Sequence, residues 1–113
     1  MKGRAESGKR KDLCVVLVTA ASRREARAIA QTVLKAKLAA CVNIVPSIES
    51  HYWWRGRLDS AAEFLLVIKT ARQSFAKISK LVRAKHSYQT PEIIALPVVA
   101  VEKAYADWWC ESL

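Results

Sequence analysis

The feature that most constrains the fold is the stretch from Cys41 to Thr70, which has the pattern of one long β-hairpin. Its outgoing arm, Cys41 to Trp54, is rich in β-branched and aromatic residues, and its returning arm, Leu58 to Thr70, ends in an apolar run. Arg55-Gly56-Arg57 is predicted to form the turn. At about 3.3 Å per residue the outgoing arm would span roughly 45 Å, whereas a compact domain of this length is about 35 Å across. The hairpin is therefore predicted to project from its own domain.

The projecting end of this hairpin carries Tyr52, Trp53 and Trp54, which a single copy of the chain cannot cover. Exposed strand edges and apolar patches favour association with another chain. Hydrophobic residues make up 52% of the sequence, which is rich for a small monomer. We therefore expect a homo-oligomer whose interface includes Ile44, Ile48, His51, Tyr52, Trp53 and Trp54.

Strands and amphipathic helices are predicted on both sides of the hairpin. Leu13 to Ala20 is almost entirely apolar and β-branched, which predicts a strand covered on both faces. Ser22 and Glu25 have the spacing of a capping box at the start of a helix. The remaining predicted elements are that helix over Arg23–Leu38, a second over Gln73–Lys85, a strand over Ile93–Val101 interrupted at Pro97, and a short C-terminal helix with one aromatic face.

The predicted order β-α-β-β-α-β, followed by a short helix, indicates an α+β fold of the ferredoxin-like type. In this plan strands one and three are central, and strands two and four form the edges. Pro46 and Pro97 fall in the edge strands, where a missing N–H is tolerated or forms a bulge. We expect one domain over residues 13–113, preceded by a disordered basic tail over residues 1–12.

The net charge of +9 has two interpretations. One is attraction to nucleic acid or to an acidic membrane, and the other, which we favour, is solvated helix faces that follow a basic tail. An RNA recognition motif would carry stacking aromatic residues in its third strand. The predicted third strand, Glu63 to Thr70, lacks that pattern, so an RNA-binding module is the less favoured class and nucleic acid is not an expected partner.

Cysteine and histidine usage limits the remaining classes. Cys14, Cys41 and Cys110 have neither the number nor the spacing of a disulfide framework or a zinc motif. No apolar run has the length of a membrane span, and no segment resembles a secretory signal. A cytoplasmic protein without a membrane partner is therefore predicted. With only two histidines and no recognisable nucleophile–base spacing, an enzyme is not predicted.

Four motifs occur in order between Leu13 and the C-terminus. They are Lys37-Leu38-Ala39-Ala40-Cys41-Val42-Asn43-Ile44; Tyr52-Trp53-Trp54-x-Gly56 with Glu63 and Ile68-Lys69-Thr70; His86-x-Tyr88-Gln89-Thr90-Pro91-Glu92-Ile93 with Leu96-Pro97; and Tyr105 with Trp108. Together they resemble the motifs of the CutA family of divalent-cation tolerance proteins. The resemblance implies a tight homotrimer, structurally similar to the PII signal proteins, in which three subunits pair their long strands around a threefold axis.

The resemblance also implies binding of copper or another divalent metal ion, with no organic cofactor. The candidate ligands are His86 and Cys41, because copper accepts imidazole and thiolate ligands. This chain has Val18 and Lys85 where some members carry a cysteine and a second histidine, and Ser87 where proline is usual. The alternatives are a small core residue at Cys41 and, at His86, a helix-terminal histidine bonded to carbonyl groups.

A second hypothesis places a small-molecule pocket between subunits. Aromatic walls, a cation and a carboxylate are together offered by Tyr52, Trp54, Lys69, Tyr88, Glu92 and Trp108. The alternative is that these aromatic residues belong only to the interface and the core. The sequence thus predicts a CutA-type trimer that binds a metal ion or a small effector.

Overall fold

Four strands and three α-helices follow one another along residues 12–113, the part of the chain that the structure, a computed structural model, describes. Apart from Asp12, the predicted basic tail lies outside the described residues. The elements are β1 (Leu13–Ala20), α1 (Arg23–Lys35), β2 (Cys41–Trp54), β3 (Arg57–Ala71), α2 (Phe75–Lys85), β4 (Ile93–Pro97) and α3 (Lys103–Glu111), with a 3-10 turn over Arg72–Ser74. The predicted α+β class is confirmed.

The four strands form one antiparallel sheet in the order β2-β3-β1-β4. This order confirms the ferredoxin-like plan, with β1 and β3 in the centre. β1 pairs with β3 along its whole length, from Leu13 opposite Ala71 to Ala20 opposite Phe64. Strands covered on both edges and faces have apolar sequences, which accounts for the composition of β1.

Helices α1 and α2 cover one face of the sheet and bury the main core. The core residues of the strands include Val16, Val18, Leu66 and Ile68, none of which is exposed. On the opposite face, Trp109 and Cys110 of α3 pack against Leu13. Trp109 Nε1 also donates a hydrogen bond to the Thr70 carbonyl at 3.2 Å, which satisfies the buried indole. No helix within residues 12–113 is long and apolar enough to cross a membrane.

Helix α1 begins at the predicted residue but ends before the predicted Leu38. Lys37 adopts a left-handed conformation, φ 61°. The Leu38 N–H then donates to the Val33 carbonyl at 3.1 Å, and the Lys37 N–H donates to the Leu34 carbonyl at 3.0 Å. This is the Schellman helix end, in which an apolar residue beyond the helix folds back onto it. Leu38 packs against the main core from that position, so its helical spacing was misleading.

The long hairpin is confirmed, and its turn is tighter than predicted. Arg55 (φ 52°) and Gly56 (φ 76°) form a two-residue turn with both residues in the left-handed region, as type I′ turns require. A β-bulge lies between Val45 and Ile48, at the site of Pro46. The hairpin stretches the molecule to 53 × 26 × 22 Å with a radius of gyration of 15.1 Å, against about 13 Å for a compact chain of this length.

The turn supplies a test of backbone strain. At Gly56 an added Cβ would meet nothing within 4 Å, so Gly56→Ala changes the conformational preference without a clash. A left-handed conformation costs an L-residue roughly 1–2 kcal/mol, so we expect Gly56→Ala to lower the free energy of unfolding by about 1 kcal/mol. Denaturant unfolding followed by circular dichroism measures the change. Arg55→Gly is the matched control, because glycine adopts a positive φ freely. An equal loss in both variants would contradict this turn geometry.

Candidate functional site

A cleft of about 610 Å³ begins at the base of the projecting hairpin and extends to Trp54, beside its turn. Its walls come from the end of β1, from β2 and β3, and from the segment that joins α2 to β4. The lining residues are Thr19, Ser50, His51, Tyr52, Trp54, Asp59, Glu63, Tyr88, Thr90 and Glu92. Four of the six residues predicted for a pocket are therefore brought together, namely Tyr52, Trp54, Tyr88 and Glu92. Lys69 and Trp108 lie elsewhere.

The hairpin walls of the cleft follow from strand register. Tyr52 lies opposite Asp59, and Trp54 lies opposite Arg57. Paired residues of an antiparallel ladder point to the same face, and residues two apart on one strand share that face. Tyr52, Trp54 and Asp59 are therefore presented together, with Glu63 on the same face of β3. The alternation that exposes Trp53 on one side of the hairpin directs Trp54 to the cleft on the other.

Glu63 is the deepest charged group of the cleft, and only 6% of its surface is exposed. Tyr88 Oη donates a hydrogen bond to Glu63 Oε2 at 2.7 Å. Burial raises the pKa of the Tyr88 phenol, and the hydrogen bond to Glu63 and the negative charge of that carboxylate raise it further. Tyr88 therefore stays protonated and remains a donor at physiological pH. Sequence reasoning did not assign Glu63 to the pocket, although a lone acid at the start of an apolar strand was a usable signal.

The side chain of His86 is fully buried, and each of its ring nitrogens takes part in a hydrogen bond. Its Nε2 lies 2.6 Å from the Thr19 carbonyl oxygen, so Nε2 carries the proton and donates it. The unprotonated Nδ1 accepts a hydrogen bond from the Tyr88 N–H at 3.0 Å. Neither nitrogen has a free lone pair, so the residues around His86 do not fit a metal ion without the loss of one of these bonds.

Glu25 fixes the same segment from the helix side. Its Oε1 accepts a hydrogen bond from the Ala21 N–H at 2.9 Å, and its Oε2 accepts one from the Ser87 N–H at 2.7 Å. Burial by itself raises the pKa of Glu25, but the hydrogen bonds from Ala21 and Ser87 outweigh it, so the pKa is lowered. The predicted capping box is half formed, since Ser22 Oγ accepts from the Glu25 N–H at 3.1 Å.

Cys41 lies far from His86 within one protomer. Cys41 is opposite Lys69 on β3, whereas Thr19, which holds His86, is opposite Leu65. Four residues of strand separate these positions by about 13 Å along the sheet. Among the described residues, no three His, Cys, Asp or Glu side chains are arranged to hold a metal ion. The assignment of His86 and Cys41 as metal ligands stays a prediction.

The two predicted pocket residues that lie outside the cleft form a separate cluster. Lys69 Nζ donates to Tyr105 Oη at 3.2 Å, and it lies 5.5 Å from the centroid of that ring. Tyr105 is in turn 5.2 Å from Trp108, centroid to centroid. The predicted cation is therefore held beside Cys41, six residues along β3 from Glu63.

The predicted interface residues divide into three groups. Trp53, Trp54 and Tyr52 are 70%, 45% and 37% exposed. Ile48 is half-buried, and Ile44 packs against the main core of the protomer. His51 is exposed, and its Nε2 lies 3.3 Å from Glu49 Oε1. The outer part of the hairpin thus presents aromatic surface together with an imidazole and a carboxylate.

The Glu25 contacts generate a pH-dependent prediction. Glu25→Gln keeps one acceptor oxygen but loses the other together with the charge, so we expect it to lower the free energy of unfolding by about 1–2 kcal/mol at pH 7. Because the folded-state pKa of Glu25 is lowered, its contribution is present above the ordinary glutamate pKa and is lost as the pH falls through the lowered value. The difference between wild type and variant should therefore shrink below about pH 4.

Urea unfolding at pH 7 and at pH 3.5 measures both quantities. Glu111→Gln, an exposed substitution with the same change of charge, is the control and should have no effect at either pH. A Glu25→Gln penalty that is equal at the two pH values would contradict the lowered pKa.

Comparisons with known proteins agree with the sheet topology and the long hairpin. The sequence profile of the CutA1 divalent ion tolerance protein family matches residues 14–112. The divalent-cation tolerance protein CutA of Archaeoglobus fulgidus is 44% identical over 98 residues, which cover 87% of this chain and 95% of that protein. The CutA protein of Thermus thermophilus has the same identity and coverage.

Solved structures have the same fold. The divalent cation tolerance protein Cut A1 of Thermus thermophilus superposes with a TM-score of 0.85 at 43% identity, covering 88% of this chain and 97% of that one. A structure from Archaeoglobus fulgidus, described as a periplasmic divalent cation tolerance protein, gives the same four values. By its sequence from residue 14 to residue 112 and by its fold, this chain belongs to the CutA1 family of divalent ion tolerance proteins.

Proposed function

We propose that this chain forms a homotrimer that binds copper or another divalent metal ion and takes part in the response to such ions. It acts as a binding protein and not as an enzyme. Membership of a family named for tolerance to divalent ions supports the metal part of the proposal. The assembly part is carried by one observation, the uncovered aromatic surface of the projecting hairpin.

The hairpin cannot be buried by its own protomer. Trp53 and Leu58 are cross-strand partners, and they are 70% and 71% exposed. Full burial of such a side chain contributes on the order of 2–3 kcal/mol. In addition, within the described sheet β2 and β4 each have an outer edge without a partner strand. Strand pairing between copies would satisfy these edges and cover the aromatic residues at the same time.

Trp53→Glu tests the assembly. A charge at the centre of a buried aromatic contact is costly, so we expect the variant to dissociate into smaller species at concentrations where the wild type has three times the subunit mass of 12.6 kDa. Analytical ultracentrifugation distinguishes these states. Trp53→Phe, which keeps an aromatic ring, should remain trimeric. A wild-type chain that is monomeric at micromolar concentration would contradict the proposed trimer.

Metal binding is proposed at exposed groups of the hairpin. The chain has only two histidines, and His86 uses both of its ring nitrogens within the protomer. By contrast, the side chains of His51 and Glu49, two residues apart on β2, lie 3.3 Å from each other and are 68% and 82% exposed. Imidazole nitrogen and carboxylate oxygen are suitable ligands for divalent first-row metals. Because the described part of one protomer holds no complete ligand set, water or a second subunit would supply the remaining ligands.

The two histidines provide an internal comparison for this proposal. Calorimetric titration of Cu²⁺ and Zn²⁺ into the trimer should lose its binding heat in His51→Ala and keep it in His86→Ala and Cys41→Ser, once circular dichroism shows that each variant is folded. Loss of binding in His86→Ala alone would instead make His86 a ligand that gives up its bond to the Tyr88 N–H. An absence of heat in the wild type would reject metal binding.

A second candidate function, binding of a small effector, is favoured by the size of the cleft. A volume of about 610 Å³ is far more than a metal ion needs, and it lies within the range of small-molecule pockets, about 300–1,000 Å³.

A cytoplasmic location is also proposed for the chain. The support for it is that Cys14, Cys41 and Cys110 are all free, as expected of a reducing compartment.

A further inference from the structure

We propose that the cleft at the base of the hairpin binds an organic cation, an ammonium or guanidinium group carried on an apolar body. The charge of the lining is the first reason. Asp59, Glu63 and Glu92 line the cleft, and no Lys or Arg is among its described lining residues. The chain as a whole has a net charge of +9, so this acidic lining is opposite in sign to the rest of the protein.

Glu63 provides the deep anchor for such a cation. It is almost fully buried, and its Oε2 is held by Tyr88. Within residues 12–113 no cation forms an ion pair with it, and its Oε1 accepts no hydrogen bond. A buried carboxylate without a positive partner is costly, and a ligand N–H donor at Oε1 would offset that cost.

The aromatic walls favour the same class of ligand. Tyr52 and Trp54, which are also predicted interface residues, line the cleft together with Tyr88, and the faces of aromatic rings attract cations. Trp54 already has one cationic neighbour, since the Arg55 guanidinium lies 5.5 Å from its ring centroid. Rings and carboxylates together match a ligand with both an apolar and a cationic part. The absence of three convergent metal-binding side chains in the described residues argues against a bare divalent ion at this depth.

This proposal does not depend on the metal binding proposed above. The metal pair, His51 and Glu49, lies at the rim and the outer surface, whereas the anchor Glu63 and its donor Tyr88 lie inside. The metal-binding proposal and the organic-cation proposal can therefore be tested on separate variants, and a negative result for one does not contradict the other.

Benzylammonium, benzyl alcohol and benzoate serve as probes. Each has one aromatic ring, and the three are positively charged, neutral and negatively charged, respectively. They are titrated into the EDTA-treated full-length protein, and the indole N–H signals are followed by ¹H–¹⁵N NMR. We expect benzylammonium to shift the Trp54 signal and to bind about tenfold more tightly than benzyl alcohol, because the alcohol keeps the ring contacts but lacks the charge. Benzoate should bind more weakly still. Trp109, which is buried against Leu13, is the internal reference.

Two variants identify the anchor. Glu63→Gln keeps an acceptor for Tyr88 and removes the charge, so we expect about tenfold weaker binding of benzylammonium. Asp59→Asn, on the exposed hairpin, should weaken binding even if Glu63→Gln fails to fold. Glu111→Gln is the control for net charge and should leave the affinity unchanged. Three results would overturn the proposal: no shift of Trp54, benzoate binding as tight as benzylammonium binding, or equal affinities in wild type, Glu63→Gln and Asp59→Asn.

Discussion

The structure depends on the way in which β3 is shared between its neighbours. Residues 64–71 of β3 pair with β1, and residues 65–69 among them also pair with β2 on the other side, whereas the first part of β3, from Arg57 to Glu63, pairs with β2 alone. One strand therefore belongs to two environments. Its inner part holds Leu66 and Ile68 in the core, and its outer part forms a two-stranded ribbon. A ribbon of two strands is marginally stable by itself, so the outer part needs cover that the protomer does not supply.

The cleft forms where these two environments meet. The bulge at Pro46 lies at the transition and increases the local twist of the ribbon. On the other side, Glu25 and His86 fix the segment after α2 against the end of β1, and this places Tyr88 within reach of Glu63. The hydrogen bonds that build this wall are the same ones that occupy both nitrogens of His86. In this arrangement the histidine positions one wall of the cleft.

The sequence predicted the features that arise from local chemistry. Periodicity and turn residues were enough for the hairpin, the sheet order, and the positions of Pro46 and Pro97 in the edge strands. The end of α1 was missed because Leu38 has helical spacing, although it reaches the core through a Schellman turn. Only some of the residues that line the cleft were predicted, because the sequence shows the type of each residue but not which residues face the same cleft. Lys69 and Glu63 are six residues apart on β3, about 20 Å, so within one protomer they do not line the same cleft. The role of His86 depends on Thr19, 67 residues earlier, a contact that no local pattern encodes.

Net charge and local charge point to different partners in this protein. A chain of charge +9 attracts anions over distances comparable to the Debye length, about 8 Å at physiological salt. At the cleft itself, the nearest charges are carboxylates at much shorter range. Coulomb energy rises as distance and effective dielectric fall, so the local groups outweigh the distant positive surface once a ligand has entered. For the proposed organic cation, the overall field would affect how often the ligand arrives, and Glu63 would affect how long it stays bound. The lining of the cleft is therefore the better basis for a proposal about its ligand than the composition of the whole chain.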